Sequence, residues 1–273
     1  MRLHNIPALL AAPLLLAGFA SCDTVDENDR IIPVEKIESQ RVVLVQEFSG
    51  QNCRNCPGGA DAIHDILSVY PENVVAVGMH PSGTPNSGPM FGTNTTSEIA
   101  TEMYDFYGRP AEFPCAIING TEFSINPSKW FELTLSQMVL APEITLTVEA
   151  AASGQGEEKK IEAKYSVEYN ERIFDNLNIV VWLTESNVVA AQNVYGDRVR
   201  DYVHNHLLRA SFCENVEGVN LGDSFKIGET SEGSLTLTPD KAWNLENCEV
   251  IAYVYRTSDH YVPQAAKCHI KIN

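Results

Sequence analysis

The feature of this sequence that most constrains its fold is a pair of cysteines separated by two residues, Cys53 and Cys56. The pair lies between an apolar run at 42–45 and a segment in which apolar residues at 60, 63, 66, 67 and 70 recur at helical spacing. This pattern predicts a strand, a tight loop and a helix, with both thiols at the N-terminus of the helix. Because the helix dipole stabilises a thiolate there, Cys53 is predicted to be an exposed nucleophile and Cys56 its resolving thiol.

The strand, the C-x-x-C pair and the helix together resemble the thioredoxin fold. The resemblance implies a role for Glu47, at the position where thioredoxin-like proteins often carry a buried carboxylate beneath the second cysteine. Such a carboxylate accepts the proton of Cys56 during exchange, and burial raises its pKa. The segment 107–120 also resembles the thioredoxin segment that carries the cis-proline, which implies that Pro114 is a cis-proline facing the thiols.

Three departures from thioredoxin leave the direction of any redox reaction open. Asn52 stands where tryptophan is usual, Arg54-Asn55 where Gly-Pro is usual, and Cys115 where threonine is usual. The alternative to a redox pair is a structural or zinc-binding pair. Zinc usually takes four ligands, often from a second such pair, and the sequence contains no second C-x-x-C. We therefore expect neither a metal nor another cofactor.

Composition excludes one class of partner. The chain has 273 residues, is 44% apolar and carries a formal charge of −17. The length is sufficient for two domains with packed cores. The negative charge would repel the phosphates of nucleic acids, so nucleic-acid binding is not expected.

The N-terminus predicts export and lipid attachment. Residues 1–21 have the length and apolar core of a signal peptide, and Phe19-Ala20-Ser21-Cys22 resembles a bacterial lipobox in which Cys22 carries the lipid. An ordinary secretory signal is the alternative. Residues 22–39 are acidic at their start and predict a solvated tether. A lipid anchor would hold the protein on a membrane without a transmembrane helix, in a compartment where disulfides persist.

The chain after the tether is predicted to be α+β, with two domains. Residues 40–141 combine strands and helices and form the thioredoxin-like domain. From residue 142 to 273 the apolar residues alternate with polar ones, most cleanly at 160–169, which predicts an antiparallel β-sandwich of the Ig-like type. Cys248 and Cys268 could form a disulfide across a hairpin or remain buried free thiols.

Three histidines are candidates for a functional role. His80 follows a predicted strand near the cysteine pair, and an ordinary hydrogen-bonded role is favoured over catalysis. His204-Asn205-His206 suggests a metal site, but the sequence places no further ligand cluster beside it, so that interpretation is rejected.

Nearly the whole chain resembles the Bacteroidota lipoproteins called outer-membrane-protein-twenty-eight-related. The most specific matching segments are 47–58 and 202–210, and the closing Gln-Ala-Ala-Lys at 264–267 also belongs to the resemblance. The resemblance implies a lipid-anchored outer-membrane lipoprotein of the cell envelope, and the acidic patch after Cys22 resembles a signal for display on the cell surface. It implies no particular substrate.

Two functions compete, and a purely structural envelope component is a third option. The first is a thiol–disulfide oxidoreductase whose partners are protein thiols or disulfides of the envelope, with Cys53, Cys56, Glu47 and Pro114 as its site. The second is a surface binding or adhesion protein with a structural C-x-x-C disulfide. Solvent access to Cys53 discriminates between the two, because a buried Cys53 favours binding.

Overall fold

Strands predominate over helices in the computed structural model, which describes residues 39–272. In chain order the elements are β1 (Val43–Phe48), α1 (Cys56–Val69), β2 (Val74–Met79), α2 (Glu98–Phe106), β3 (Cys115–Ile118), β4 (Glu122–Ser124), α3 (Trp130–Met138), β5 (Ile144–Ser153), β6 (Lys160–Tyr169), β7 (Leu177–Glu185), β8 (Val188–Val194), β9 (Asp197–His204), β10 (Leu207–Ser211), β11 (Val219–Gly222), β12 (Thr230–Leu237), β13 (Cys248–Arg256) and β14 (Gln264–Ile272).

The first half of the described chain is an α/β arrangement around β1. Strands β1 and β2 pair in parallel through α1, and β3 and β4 extend the sheet in antiparallel pairing. Both faces of β1 and β2 are buried, as expected for strands covered by helices on each side. Apolar residues of α1 and α3 share one core with Val43 and Val45, and residues of α2 share another with Leu44 and Phe48. The predicted strand, loop and helix around the cysteine pair are confirmed.

The second half continues the same sheet. Leu207 of β10 pairs with Gly78 of β2, so the strand order runs β12-β6-β5-β14-β13-β7-β10-β2-β1-β3-β4 without a break. The core on the α2 side is shared as well, because Trp182 of β7 and Tyr253 of β13 belong to the same apolar cluster as Phe48. The described residues therefore form one compact unit, while the domain boundary after residue 141 stays a prediction.

The strands of the second half pair antiparallel with one another, as predicted, except at one pair. The first part of β14 pairs antiparallel with β13, whereas its last residues, 270–272, run parallel to β5 at 150–152. A single long strand thus joins the β5–β6–β12 hairpins to the central strands. The side chains that these strands turn inward form an apolar core that includes Ile161, Val181, Leu183 and Val250.

The cysteines of the second half are free thiols. Cys213, Cys248 and Cys268 form no disulfide with any described residue. In the ladder between β13 and β14, Val250 rather than Cys248 faces Cys268, so the two sulfur atoms do not meet across the hairpin. Burial raises the pKa of the Cys248 thiol to about 12, which keeps it protonated and unreactive.

One hairpin was not predicted. Strands β8 and β9 pair with each other and with no third strand among residues 39–272. The turn between them uses positive φ at Tyr195 and Gly196, and the register shifts between Ala190 and Gln192. We call Val188–His204 the covering hairpin, because of the surface on which it lies.

Candidate functional site

The two cysteines occupy the turn between β1 and α1 and form a disulfide. Cys53 lies in the turn, Cys56 is the first residue of α1, and their Cα atoms are 5.4 Å apart. Pro57 follows in the first turn of the helix, where its missing N–H costs no hydrogen bond. The local sequence therefore places both sulfur atoms at the helix N-terminus, as predicted.

The predicted exposure of Cys53 is wrong. Only 2% of its surface is exposed, the same fraction as for Cys56, while the neighbouring Asn52 and Arg54 are exposed. The physical reason is that a distant part of the chain covers the turn. That part is the covering hairpin, whose contact with the turn joins residues about 140 positions apart.

Hydrogen bonds from one buried side chain and from the backbone fasten the covering hairpin to the cysteine turn. The Gln192 side chain donates through Nε2 to the carbonyl oxygens of Gly50 at 3.2 Å and Cys53 at 3.0 Å. Backbone N–H groups of the hairpin make two further bonds, from Asn193 to the Gln51 carbonyl at 2.8 Å and from Tyr195 to the Arg54 carbonyl at 2.9 Å. The backbone of the cysteine turn is thus hydrogen-bonded to the hairpin much as a neighbouring strand would be.

The opposite side of the turn contacts the polar loop between β2 and α2. The Asn52 N–H donates to the Asn86 carbonyl at 3.0 Å, and the Asn52 amide group donates to the Ser87 carbonyl. Gln51 is buried and donates through Nε2 to Thr93 Oγ1 at 3.0 Å and to the Ala191 carbonyl at 2.8 Å. Loop, turn and hairpin therefore form one hydrogen-bonded assembly around the disulfide.

Glu47 is buried under α1. It alternates with Phe48 along β1 and shares the face of Val43 and Val45, on which the helix packs. Burial raises the pKa of its carboxyl to about 8, against a smaller lowering by a hydrogen bond with Ser49. Its Oε1 has no hydrogen-bond partner within the described part of the chain.

Gly59 of α1 explains how a carboxyl fits at this position. A Cβ atom added to Gly59 would meet Glu47 Oε1, Pro114 Cβ and Trp130. The absence of a side chain therefore lets the helix approach both residues. Pro114 is buried and follows a cis peptide bond from Phe113, so the predicted cis-proline is present. The structure brings Glu47 and Pro114 together at the helix that carries Cys56.

A cavity of about 360 Å³ opens between α1 and the covering hairpin, and Glu47 and Cys56 contribute to its wall. The hairpin side supplies Tyr202 and His204, and His80 comes from the end of β2. The rings of His80 and His204 meet edge to face at 5.5 Å, and Tyr202 lies 4.9 Å from His204 between ring centroids. The cavity is therefore lined by titratable groups on one side.

Two histidines of this cavity, His80 and His204, are neutral. Burial lowers the pKa of His204 to about 4, opposed by hydrogen bonds with the backbone of Ala191 and Ala190. Burial also lowers the pKa of His80, and the nearby His204 and Arg209 charges act in the same direction. The His80 ring is hydrogen-bonded to Thr95 Oγ1 at 2.7 Å, which agrees with the ordinary role favoured from the sequence.

Sequence reasoning missed Gln192, Tyr202 and the contribution of His204 to this cavity. The segment 202–210 was singled out as part of a family resemblance, and its first residues do line the cavity. No local pattern indicated that they would fold back onto the cysteine turn, because the contact depends on the long-range docking of the hairpin. His206 also lines the cavity, but among residues 39–272 no group of three or more His, Cys, Asp or Glu side chains is arranged to hold a metal ion.

The predicted lipid attachment at Cys22, the signal peptide and the acidic tether lie outside the described residues, apart from the tether's last position, residue 39. Within the described range, no helix combines the length and apolarity needed to cross a membrane.

Comparison with known proteins identifies the family. Residues 100–273 match the family described as outer membrane protein Omp28. The match spans more than half of the chain, and the protein therefore belongs to this family. Membership confirms the family predicted from the sequence and the predicted localisation of an outer-membrane lipoprotein.

A solved structure shares the fold at low sequence identity. HBP35 of Porphyromonas gingivalis is similar over 85% of this chain and 76% of its own, with a TM-score of 0.67 and 16% identity. A domain of the outer membrane lipoprotein Omp28 from Porphyromonas gingivalis aligns with 50% of this chain and 93% of its own, with a TM-score of 0.33 and 16% identity. No curated protein sequence matches the chain.

Proposed function

We propose that this protein is a lipid-anchored binding protein of the outer membrane in which the Cys53–Cys56 disulfide is structural. In this proposal the first half is a thioredoxin-like module, the second half is an Ig-like sandwich, and Cys22 carries the lipid that displays both at the cell surface. The observation that carries the proposal is the burial of Cys53, 2% exposed beneath the covering hairpin.

The energetics of opening support a structural role. A partner disulfide reaches Cys53 only after the hydrogen bonds that Gln192, Asn193 and Tyr195 donate to the cysteine turn are broken. Side chains of Gln51, Asn193 and Arg54 add further bonds between the hairpin and the turn. At about 1 kcal/mol net for each bond, breaking the four bonds donated by Gln192, Asn193 and Tyr195 alone costs roughly 4 kcal/mol, which limits the open population to at most about one molecule in a thousand. Exchange through such a minor state is slowed by the same factor. The disulfide also fixes the backbone conformation of the Cys53 loop, and this is the conformation to which the hairpin is hydrogen-bonded.

A thiol–disulfide oxidoreductase is the second candidate, and the carboxyl of Glu47 favours it. With a pKa of about 8, this carboxyl suits proton exchange with a thiol at neutral pH. In the reaction, the reduced Cys53 thiolate would attack a partner disulfide and release the partner's thiolate. Cys56, deprotonated by Glu47, would then attack the mixed disulfide, which frees the second partner thiol and restores the Cys53–Cys56 bond.

An exchange assay separates the two candidates. The reduced protein is mixed with oxidised glutathione, and the rate of glutathione release is compared with that of Cys53→Ser. The binding proposal predicts a rate within a fewfold of the variant at neutral pH. A rate a hundredfold or more above Cys53→Ser would reject a structural disulfide and establish the oxidoreductase.

A further inference from the structure

Phe174 and Ile227 are the two most exposed large apolar side chains of residues 39–272, at 74% and 71% of their surface. They lie on two neighbouring loops, 170–176 between β6 and β7 and 223–229 between β11 and β12. We call these two loops the apolar tip.

A backbone bridge joins the two loops of the tip. The N–H of Ile173 donates to the Phe225 carbonyl at 3.2 Å, and the N–H of Phe225 donates to the Ile173 carbonyl at 3.0 Å. Ile173 and Phe225 belong to the apolar core, so the loops are held in place while Phe174 and Ile227 remain exposed to water. Exposed apolar side chains grouped in this way favour burial against a partner surface.

We propose that the apolar tip rests on a phospholipid bilayer, with the Phe174 and Ile227 side chains inserted at the level of the lipid head groups. The inference rests on the lipid anchor of the function proposed above, and it adds the face of the protein that meets the membrane.

The chain enters the described structure at the same end as the apolar tip. Arg41 donates through Nη1 to the Ala141 carbonyl at 3.4 Å. The next carbonyl, that of Pro142, accepts a hydrogen bond at 3.0 Å from the side chain of Asn170, the first residue of the tip. A tether from a lipid on Cys22 reaches the described residues beside Arg41, and it therefore brings this end of the protein towards the bilayer.

A second set of contacts connects the same two regions. The loop between β13 and β14 accepts a hydrogen bond from Arg41 Nη2 at the Val262 carbonyl, at 2.9 Å. From the same loop, the Ser258 hydroxyl donates to the Asp175 carboxylate of the tip at 3.0 Å. The entry point of the chain and the tip are thus fixed to one another through two separate segments.

The same end of the molecule carries two more exposed apolar side chains. Val139 and Leu140 lie directly before Ala141 and are 62% and 43% exposed. Exposed apolar side chains at the end where the tether joins suit contact with lipid better than contact with water.

Each loop of the tip also has a cation beside its apolar side chain. The Arg172 guanidinium lies 5.9 Å from the centroid of the Phe174 ring, and Lys226 directly precedes Ile227; both basic residues are exposed. Long basic side chains reach lipid phosphates while neighbouring apolar groups enter the bilayer. Anionic lipids would repel the carboxylates of the tip, so we expect zwitterionic phospholipid to be preferred. These carboxylates are Glu171, Asp175, Asp223 and Glu229.

The cysteine turn and the covering hairpin lie at the other end of the sheet. Strand β7 starts at Leu177, directly after the tip, and its last residue, Glu185, pairs with Leu207 of β10. Leu207 pairs in turn with Gly78, near the C-terminal end of β2, and that end lies beside the cysteine turn. A protein that rests on its tip therefore presents the covering hairpin and its cavity to the medium, where a soluble ligand can reach them.

The experiment uses the full-length lipoprotein reconstituted in phosphatidylcholine vesicles, with Phe174→Trp as a fluorescent probe of the tip. Vesicles are prepared with and without phosphatidylcholine brominated on its acyl chains, which quenches an indole only by contact within the bilayer. We expect the emission added by Phe174→Trp to fall at least about twofold, because interfacial apolar groups lie about 5–10 Å into the boundary between head groups and acyl chains. The wild-type signal, from the completely buried Trp130 and Trp182 and the partly buried Trp243, is subtracted.

Phe91→Trp is the matched control at the other end of the molecule. Phe91 is 46% exposed on the loop after β2, and its ring centroid lies 3.8 Å from the guanidinium carbon of Arg200 on the covering hairpin. The emission added by this variant should be insensitive to brominated lipid and should be quenched by iodide in the medium.

A charge placed on the tip should lift it from the bilayer. Ile227→Asp, made in the Phe174→Trp chain, should reduce the quenching by brominated lipid to about half or less, because a carboxylate is unfavourable among acyl chains. Val189→Asp changes a position that is 61% exposed on the covering hairpin and should leave the quenching unchanged. All of these positions are exposed, and near-ultraviolet circular dichroism confirms folding.

The proposal is overturned if Phe174→Trp and Phe91→Trp are quenched equally, or if Ile227→Asp is quenched as strongly as its parent chain. Protection of the Phe174→Trp emission from iodide without quenching by brominated lipid would also overturn it, because a second protein copy rather than lipid would then cover the tip. Flotation with the vesicles but no quenching would reject the membrane contact alone and leave the lipid anchor in place. A protein that does not float with the vesicles would reject both.

Discussion

The protein has two interiors that are both largely shielded from water but built from different side chains. The core between the strands of the second half is apolar, and Ile161, Val181 and Leu183 are completely buried there. The interior beneath the covering hairpin contains Glu47 and His204, both 95% buried and each with an atom that lacks a partner among the described residues. The first interior stabilises the fold through buried apolar area, whereas the unpaired polar atoms of the second cost stability.

The largest effect is expected in the apolar core. Leu183→Ala removes a completely buried side chain and leaves a cavity, so the free energy of unfolding should fall by about 2–5 kcal/mol. Urea denaturation followed by far-ultraviolet circular dichroism measures this. Leu140→Ala, at a position 43% exposed, is the matched control and should cost below about 0.5 kcal/mol. Equal losses in the two variants would contradict the assigned core.

The contact between α1 and the carboxyl of Glu47 should be sensitive to one added methyl group. Gly59→Ala forces its Cβ against Glu47, Pro114 and Trp130, and we expect a loss of about 1–3 kcal/mol. Gly58→Ala is the control in the same helix, because its Cβ would only touch the Tyr195 hydroxyl oxygen at 3.4 Å. That variant should be neutral or stabilised by about 0.5 kcal/mol. Thermal unfolding of the pair tests the difference, and the reverse order would refute it.

The pH dependence of the free energy of unfolding should distinguish the contribution of the Glu47 carboxyl from those of His204 and His206. The pKa of Glu47 is about 8 in the folded protein and 4.5 in its ordinary state, so the folded chain holds an additional proton between these values. Stability from this group is complete below about pH 4.5 and declines as the pH rises towards 8. The pKa values of His204 and His206 are instead lowered to about 4, so their contributions decline as the pH falls below about 6.5.

The difference between the wild type and Glu47→Gln isolates the carboxyl, and the decline due to Glu47 between pH 6.5 and 8 should reach up to about 1.4 kcal/mol per pH unit. Glu47→Gln should remove this decline, and Asp65→Asn should retain it. Urea denaturation at half-unit pH intervals measures both slopes. Parallel curves for the wild type and Glu47→Gln would show that the carboxyl is not protonated in the folded state.

The variant with the smallest expected loss of stability should show a large gain in the accessibility of the disulfide to reductants. Gln192→Ala deletes the bonds to the Gly50 and Cys53 carbonyls, which should cost about 1–2 kcal/mol and raise the rate of disulfide reduction by dithiothreitol roughly tenfold. Val189→Ala changes an exposed position of the same hairpin and should leave the rate unchanged. Equal reduction rates in the two variants would show that Gln192 does not control access.

Much of the local structure could be predicted from the sequence because it depends on neighbouring residues. The helical spacing after Cys56 predicted α1, and the alternation at 160–169 predicted β6. The cis bond before Pro114 followed from a family resemblance and is present.

The features that determine access to the disulfide could not be predicted in this way. Burial of Cys53 depends on a hydrogen bond from Gln192, 139 residues away. The hairpin that carries Gln192 has an irregular register, so its apolar residues do not show the simple alternation of a two-faced strand. The parallel pairing of β14 with β5 is likewise a long-range contact that the local sequence does not indicate. It involves residues 270–272, whereas the earlier part of the same strand pairs with β13.

The most direct test of the structural disulfide is the reduction potential of the Cys53–Cys56 pair, measured by glutathione equilibration with Cys53→Ser as the control. A covered structural disulfide predicts a potential below about −300 mV and slow exchange. A potential between about −270 and −120 mV, reached rapidly, would contradict this account and identify the pair as the site of an exchange enzyme.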